Sequence, residues 1–188
     1  MIAVDVGANV GSITTQLLRA GATVIAIDPH AEALEALRRA YPTATTLHAA
    51  VTDRDGTVTY YHSKASVHGS LYRANLLDDI GRMEEVPAVT LDQACPLADI
   101  VKIDAQGAEA AILRGASQLL ARRQAVFFIE LWRQGLEAAG ESVATVRRLF
   151  EAQGYVPQGQ TWDTVQRQAE AQQGHSALDV VVIPGART

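Results

Sequence analysis

Five acidic residues, one lysine and a glycine-rich turn are the groups in this sequence whose types and spacing could do chemistry. An apolar run ends in Asp5, and residues 5–11 then read Asp5-Val6-Gly7-Ala8-Asn9-Val10-Gly11. Gly7 and Gly11 carry no Cβ, so the backbone there can turn sharply and approach a ligand closely. A strand-end acid accepts hydrogen bonds and turn amides donate them, which suits a ligand with an amino group, a carboxylate and ribose hydroxyls. S-adenosylmethionine is such a ligand. The dinucleotide fingerprint G-x-G-x-x-G would need glycine where Asn9 stands, and a phosphate loop would need Gly-Lys-Ser or Gly-Lys-Thr after the turn. Neither pattern is met.

A second apolar run ends in Asp28, followed by Pro29. An acid about twenty residues beyond a glycine turn is placed to bind ribose hydroxyls; capping of the next helix is the plainer alternative. Ala50 and Val51 close a third run and are candidates for the apolar wall beside an adenine ring. The other informative stretch is Lys102-Ile103-Asp104-Ala105-Gln106-Gly107-Ala108-Glu109. Lys102 falls inside a strand that should be covered on both faces, so its charge needs a partner. Asp104 ends that strand and Glu130 lies at the end of the next. Asp5, Asp104 and Glu130 are thereby brought to one edge of a sheet, the edge where open α/β sheets bind ligands. The cofactor-binding candidates are Asp5, Gly7, Ala8, Asn9, Gly11, Asp28, Pro29, Ala50, Val51 and Asp104.

The elements that must hold these groups alternate between strand and helix patterns. Strands are expected over residues 2–6, 23–27, 44–51, 57–61, 86–90, 99–104, 125–131 and 178–183, with a short one opening at Tyr155 and Val156. Helices are expected from Ser12 to a stop at Gly21, over 31–40, over 108–121 and from the capping Ser142 through Gln153, with a helical turn over 91–95. Two stretches, 63–87 and 157–177, lack a clean period and are expected to be irregular loops on the substrate side. No repeat or second domain is visible, and a single domain over 1–188 is expected. Composition agrees: 48% hydrophobic and 20% charged residues are ordinary for a globular chain of 188. A net charge of -5 gives no basic footprint for a nucleic-acid backbone. The single Cys95 excludes an intrachain disulfide, and the five histidines form no recognisable metal set. No apolar stretch reaches membrane-spanning length and no leader pattern opens the chain, so a cytoplasmic location is the expectation.

Taken together, Asp5 to Gly11, Asp28-Pro29, Thr90-Leu91-Asp92, Val101 to Glu109, Glu130 and the closing segment from His175 to Pro184 resemble the FkbM family of S-adenosylmethionine-dependent methyltransferases. The resemblance covers nearly the whole chain. It implies a Rossmann-like class I methyltransferase fold: a mostly parallel, seven-stranded sheet with a reversed last strand and helices on both faces. It also implies methylation of a hydroxyl group on a sugar or natural product. Two departures stand out. Members usually carry a segment before the first motif that helps cover the cofactor, so a second copy or a partner protein is a candidate cover here. Position 106 is Gln where many members have Glu. The expected chemistry is in-line attack of a substrate oxygen on the S-methyl group, with a side chain removing the hydroxyl proton. Asp104 and Glu130 lead as base or hydrogen-bonding groups, with Lys102 paired to one of them or to Asp5. His68, in the irregular loop, is the next candidate base, and Glu109 reads equally as an acid favoured by a helix N-terminus. A non-catalytic module that binds the cofactor and needs a partner is the competing class.

Overall fold

The computed structural model describes residues 1–64, 69–76, 79–174 and 176–186. In chain order the elements are β1 (Ile2–Val6), α1 (Ser12–Arg19), β2 (Thr23–Asp28), α2 (Ala31–Ala40), β3 (Thr45–His48), β4 (Ala50–Val51), β5 (Gly56–Ser63) and β6 (Gly69–Ser70). A 3-10 turn (Arg73–Asn75), β7 (Ile80–Val89), α3 (Leu91–Ala94), β8 (Ile100–Ile103), α4 (Glu109–Arg114), α5 (Ser117–Ala121) and β9 (Val126–Leu131) follow. The chain continues with α6 (Arg133–Ala138), α7 (Val143–Ala152), β10 (Tyr155–Pro157), α8 (Trp162–Glu170) and β11 (Leu178–Pro184). Seven strands form one sheet in the order β10-β11-β9-β8-β1-β2-β3, in which β11 runs against its neighbours β9 and β10. The remaining pairs in that sheet are parallel. This is the expected sheet with its reversed last strand. The order of strand addition reverses at β1, which puts a crevice beyond the carboxyl ends of β1 and β8.

The two faces of the sheet are packed differently, and strand alternation decides which residue goes where. Val4, Val6, Val101, Ile103, Phe127 and Ile129 belong to the main core, together with residues of α4, α5 and α7. The opposite face is built from small residues: Ala3 and Val24 pack with Leu17 and Leu18 of α1, and Ala26 packs with Leu34 and Leu37 of α2. Phe128 shares the parity of that second face and is 44% exposed.

Several segments depart from their expected form. The run expected as one strand over 44–51 is split: β3 joins the main sheet, while β4 pairs with β7 in a separate sheet of order β4-β7-β5-β6. The stretch 63–87 holds β6, the 3-10 turn and most of β7, which pairs antiparallel with β5 from Gly56↔Ala88 to Ser63↔Ile80. The helix expected over 108–121 is two, α4 and α5, broken where Gly115 comes so close to Thr52 that a Cβ would sit 2.2 Å from its carbonyl oxygen. In 157–177 the chain forms α8, capped by the Thr161 hydroxyl accepting from the Thr164 amide, with Trp162, Val165 and Ala169 buried. The polar stretch after β9 likewise holds α6.

Candidate functional site

The end of β1 and the end of β2 are stitched together by backbone before any ligand is considered. Gly7 has φ +72°, and a Cβ there would lie 1.9 Å from the Asp104 carbonyl oxygen, so the residue must be glycine for β1 and β8 to end side by side. The amides of Gly7 and Ala8 donate to the Ile27 carbonyl at 2.9 and 3.2 Å. Asp28 completes the stitch: Oδ2 accepts from the Asn9 amide at 2.8 Å and Oδ1 from the His30 amide at 2.7 Å. Burial raises the Asp28 pKa, while those two backbone donors pull it down. A cleft opens above this stitch, lined by Gly7, Asn9, Asp28, Pro29, Ala50, Val51, Asp104 and Glu130 among the predicted residues. Among the described residues Asn9 Oδ1 is buried without a hydrogen-bond partner, which leaves an acceptor for a donor such as an amino group. Ile27, Ala49 and Leu71 add apolar wall. The residues present therefore fit a ligand with a nucleoside at one end and an amino acid at the other.

The acidic side of the cleft is organised around Lys102. Its Nζ donates to the carbonyl oxygens of Val6 and Gly7 at 3.2 and 2.8 Å, and lies 3.2 Å from Asp5 Oδ1 and 3.7 Å from Asp104 Oδ2. The buried charge thus has the partner it requires. Burial, together with the negative charge of neighbouring Asp104, pushes Glu130 up to about 8. Asp179, directly across from Glu130 in the β9–β11 register, adds to the push. Gln106 Nε2 donates to Asp104 Oδ1 at 2.9 Å and to Glu130 Oε2 at 3.3 Å. Glu109 has no exposed surface; its Oε1 accepts from the amides of Ala105 and Gly107, both at 3.2 Å, and burial pushes its pKa up to about 7.

Three candidates for cofactor contact do not face the cleft. Asp5 is fully buried: Oδ2 takes a 2.6 Å hydrogen bond from Thr14 Oγ1 and Oδ1 faces Lys102, so it braces the turn from beneath. Ala8 packs against Leu34 and Leu37 of α2. Gly11, at φ +94°, is the buried N-cap of α1, with Leu37 and Tyr41 where a Cβ would go. Lys102 is absent from the cleft lining and holds the glycine turn instead. His68 and His175 lie outside the described residues. His30 accepts from the Ala33 amide to cap α2, and its ring stands edge-on to His62 at 4.9 Å. Tyr60 and Ser70 are not among the sequence candidates and Gln106 stands out there only as a departure from the family's usual Glu, yet all three line the cleft. Tyr60 was visible only as one residue of an alternating strand, and Ser70 lay in a stretch with no period. Among the described residues no group of His, Cys, Asp and Glu is arranged to hold a metal ion, and no helix is long and apolar enough to cross a membrane.

Comparison with known proteins agrees with this geometry. The structure of a methyltransferase FkbM from Methylobacillus flagellatus KT matches with a TM-score of 0.59 at 14% identity, over 96% of this chain and 42% of that one. The magnesium protoporphyrin IX methyltransferase of Synechocystis PCC 6803, solved with bound SAH, matches with 0.54 at 13% identity, over 98% of this chain and 74% of that one. An rRNA methylase from Streptococcus thermophilus matches with 0.54 at 13% identity, over 98% of this chain and 87% of that one. The chain thus spans less than half the length of the Methylobacillus protein. No curated protein sequence matches it. The model of the methyltransferase FkbM domain matches residues 5–157, from the acid that ends β1 to the end of β10, and the chain belongs to the FkbM family of S-adenosylmethionine-dependent methyltransferases.

Proposed function

We propose that the protein transfers the methyl group of S-adenosylmethionine to a hydroxyl oxygen of a small molecule of the sugar or natural-product type. The observation that carries this reading is the carboxyl pair Asp104–Glu130, bridged by the Gln106 amide and lining the same cleft as Asp28 and Asn9. When bound, the cofactor supplies an electrophilic methyl group on a sulfonium. The chain's part is to hold and to deprotonate. Asp28 accepts from the ribose hydroxyls, Asn9 Oδ1 accepts from the amino group, and Pro29, Ala50 and Val51 flank the adenine. The acceptor hydroxyl gives its proton, beside Asp104, to the ionised form of Glu130, whose raised proton affinity makes it a stronger base than an ordinary carboxylate. A net charge of -5 and three carboxylates lining the cleft disfavour a polyphosphate acceptor such as RNA.

The test is calorimetric titration with S-adenosylmethionine, followed by transfer of a labelled methyl group to a panel of hydroxyl, amine and RNA acceptors. Binding that collapses in Asp28→Ala, with hydroxyl methylation lost in Glu130→Gln, is the expected result. Methylation confined to amines or RNA would overturn the acceptor class. Binding without transfer to any acceptor would favour the non-catalytic module.

A further inference from the structure

The loop after β8 is more tightly held than a connection needs to be. Gln106 has φ +50°, a left-handed conformation that costs a non-glycine residue energy. It is fixed from two sides. Beneath it, the Glu109 carboxyl accepts from the amides on either side, those of Ala105 and Gly107. Above it, the Gln106 carbonyl accepts from Asn75 Nδ2 at 2.6 Å and from the Ser70 hydroxyl at 3.1 Å, and Asn75 also donates to that hydroxyl at 3.0 Å. Ser70 and Asn75 come from the insertion between β5 and β7. What this clamp aims is one amide nitrogen, which donates to a carboxyl oxygen of Asp104 and of Glu130 alike.

We propose that Gln106 is a positioning residue for the Asp104–Glu130 pair, whose shared amide donor, held by the clamped turn, keeps the pair able to release its proton. The proposal rests on reading that pair as the proton acceptor. Two carboxyls that share one donor are close enough to resist joint ionisation, and the other groups facing them do not all help. Lys102, from β8, lies 3.7 Å from Asp104 Oδ2, whereas Asp179 from β11 and Glu109 from α4 oppose ionisation of Glu130. A donor between the two oxygens favours the charged form of each. A carboxylate at position 106 would accept where the amide donates, and would add a third negative charge to the group.

The experiment is a carbon-detected NMR titration of the Asp and Glu side chains in the ligand-free chain, for the wild type, Gln106→Asn and Gln106→Glu. Asparagine tolerates positive φ and keeps an amide, but falls one methylene short. Glutamate keeps the reach and loses the donor. In Gln106→Asn the higher apparent pKa of the pair rises by about one, a tenfold gain in proton affinity. In Gln106→Glu the cluster takes up an additional proton near neutrality. Asn75→Ala loosens the clamp from outside the turn and moves the titration in the direction of Gln106→Asn. Curves that coincide across the wild type and all three variants overturn the role of Gln106, whatever Glu130→Gln does to transfer. Shifted curves alongside full transfer by Glu130→Gln keep the role of Gln106 and discard the pair as base.

Discussion

Asp28 is asked to do two things with one carboxylate. Its oxygens hold the amides of Asn9 and His30, and it lines the cleft floor where the ribose is proposed to sit. Asp28→Asn keeps the shape but turns one oxygen into a donor facing an amide N–H. Hydrogen bonds to a charged group are worth about 1.5–3 kcal/mol, so a loss of about tenfold or more in S-adenosylmethionine affinity is expected, with the melting temperature lowered as well. Isothermal titration with both variants, asparagine and alanine, reads it; unchanged affinity would remove Asp28 from the site. At this scale the sequence was partly legible. Asp28 and Asp104 could be picked out because each acid ends an apolar run. Asp5 obeys the same rule yet is a brace, because Thr14, on the first turn of α1, reaches back to it. Nothing in linear spacing shows that return. Gln106 stood out only as a departure from the family's usual Glu, and its role was illegible for a related reason: it depends on a positive φ and on partners 2 and 24 residues away.

Strand ends, not whole strands, make the cleft, so the elements matter mainly through where they stop. Gly7→Ala tests this directly. The new Cβ would lie 1.9 Å from the Asp104 carbonyl oxygen and would occupy φ +72°, so β1 and β8 must part. Overpacking of this kind costs about 1–3 kcal/mol. Denaturant melts should show that loss, and cofactor binding should weaken further than Asp28→Asn alone makes it; a stable, fully binding Gly7→Ala would refute the close approach. The strands flanking the cleft were readable because both faces of a parallel sheet are buried and the residues come as apolar runs. β7 was not readable beyond its last residues. Gly81, Arg82, Glu84, Glu85 and Pro87 give it no alternation, and it is a strand because β5 pairs along its length. α8 was obscured by its glutamines, although Trp162, Val165 and Ala169 keep helical spacing. The break between α4 and α5 leaves no mark in the apolar period, since it is imposed by Thr52 from another part of the chain.

Burying acids for the sake of a site has a cost that the entire fold carries. Glu109 is raised to about 7 and Glu130 to about 8, against about 4.5 for each in an unfolded chain. A folded-state pKa above the unfolded value means that the folded chain holds the proton more tightly. The associated stability is complete below about pH 4.5 and drains away as pH rises through 7 and then 8. Each acid contributes a slope of at most about 1.4 kcal/mol per pH unit within its window. The Glu130 share is smaller, because its carboxyl is partly open to solvent and screened. Thermal melts of the wild type should therefore fall between pH 5 and pH 8. Glu109→Gln, which retains an acceptor for the amides of Ala105 and Gly107, should flatten the slope below pH 7, and Glu130→Gln the slope nearer pH 8. Glu109→Ala should instead lower stability at every pH by about 2–4 kcal/mol, because it takes the acceptor from the buried Gly107 amide and the part-buried Ala105 amide and leaves a cavity. The two windows overlap from about pH 4.5 to 7, and only the interval from 7 to 8 belongs to Glu130 alone; a double glutamine variant whose melting temperature still falls as steeply as the wild type's would mean that these acids are ionised in the native protein. The same titration bears on function. If stability and methyl transfer change in opposite directions through pH 8, one proton on the Asp104–Glu130 pair accounts for both, and the rate gained by deprotonating Glu130 is drawn from the stability of the sheet edge that holds it.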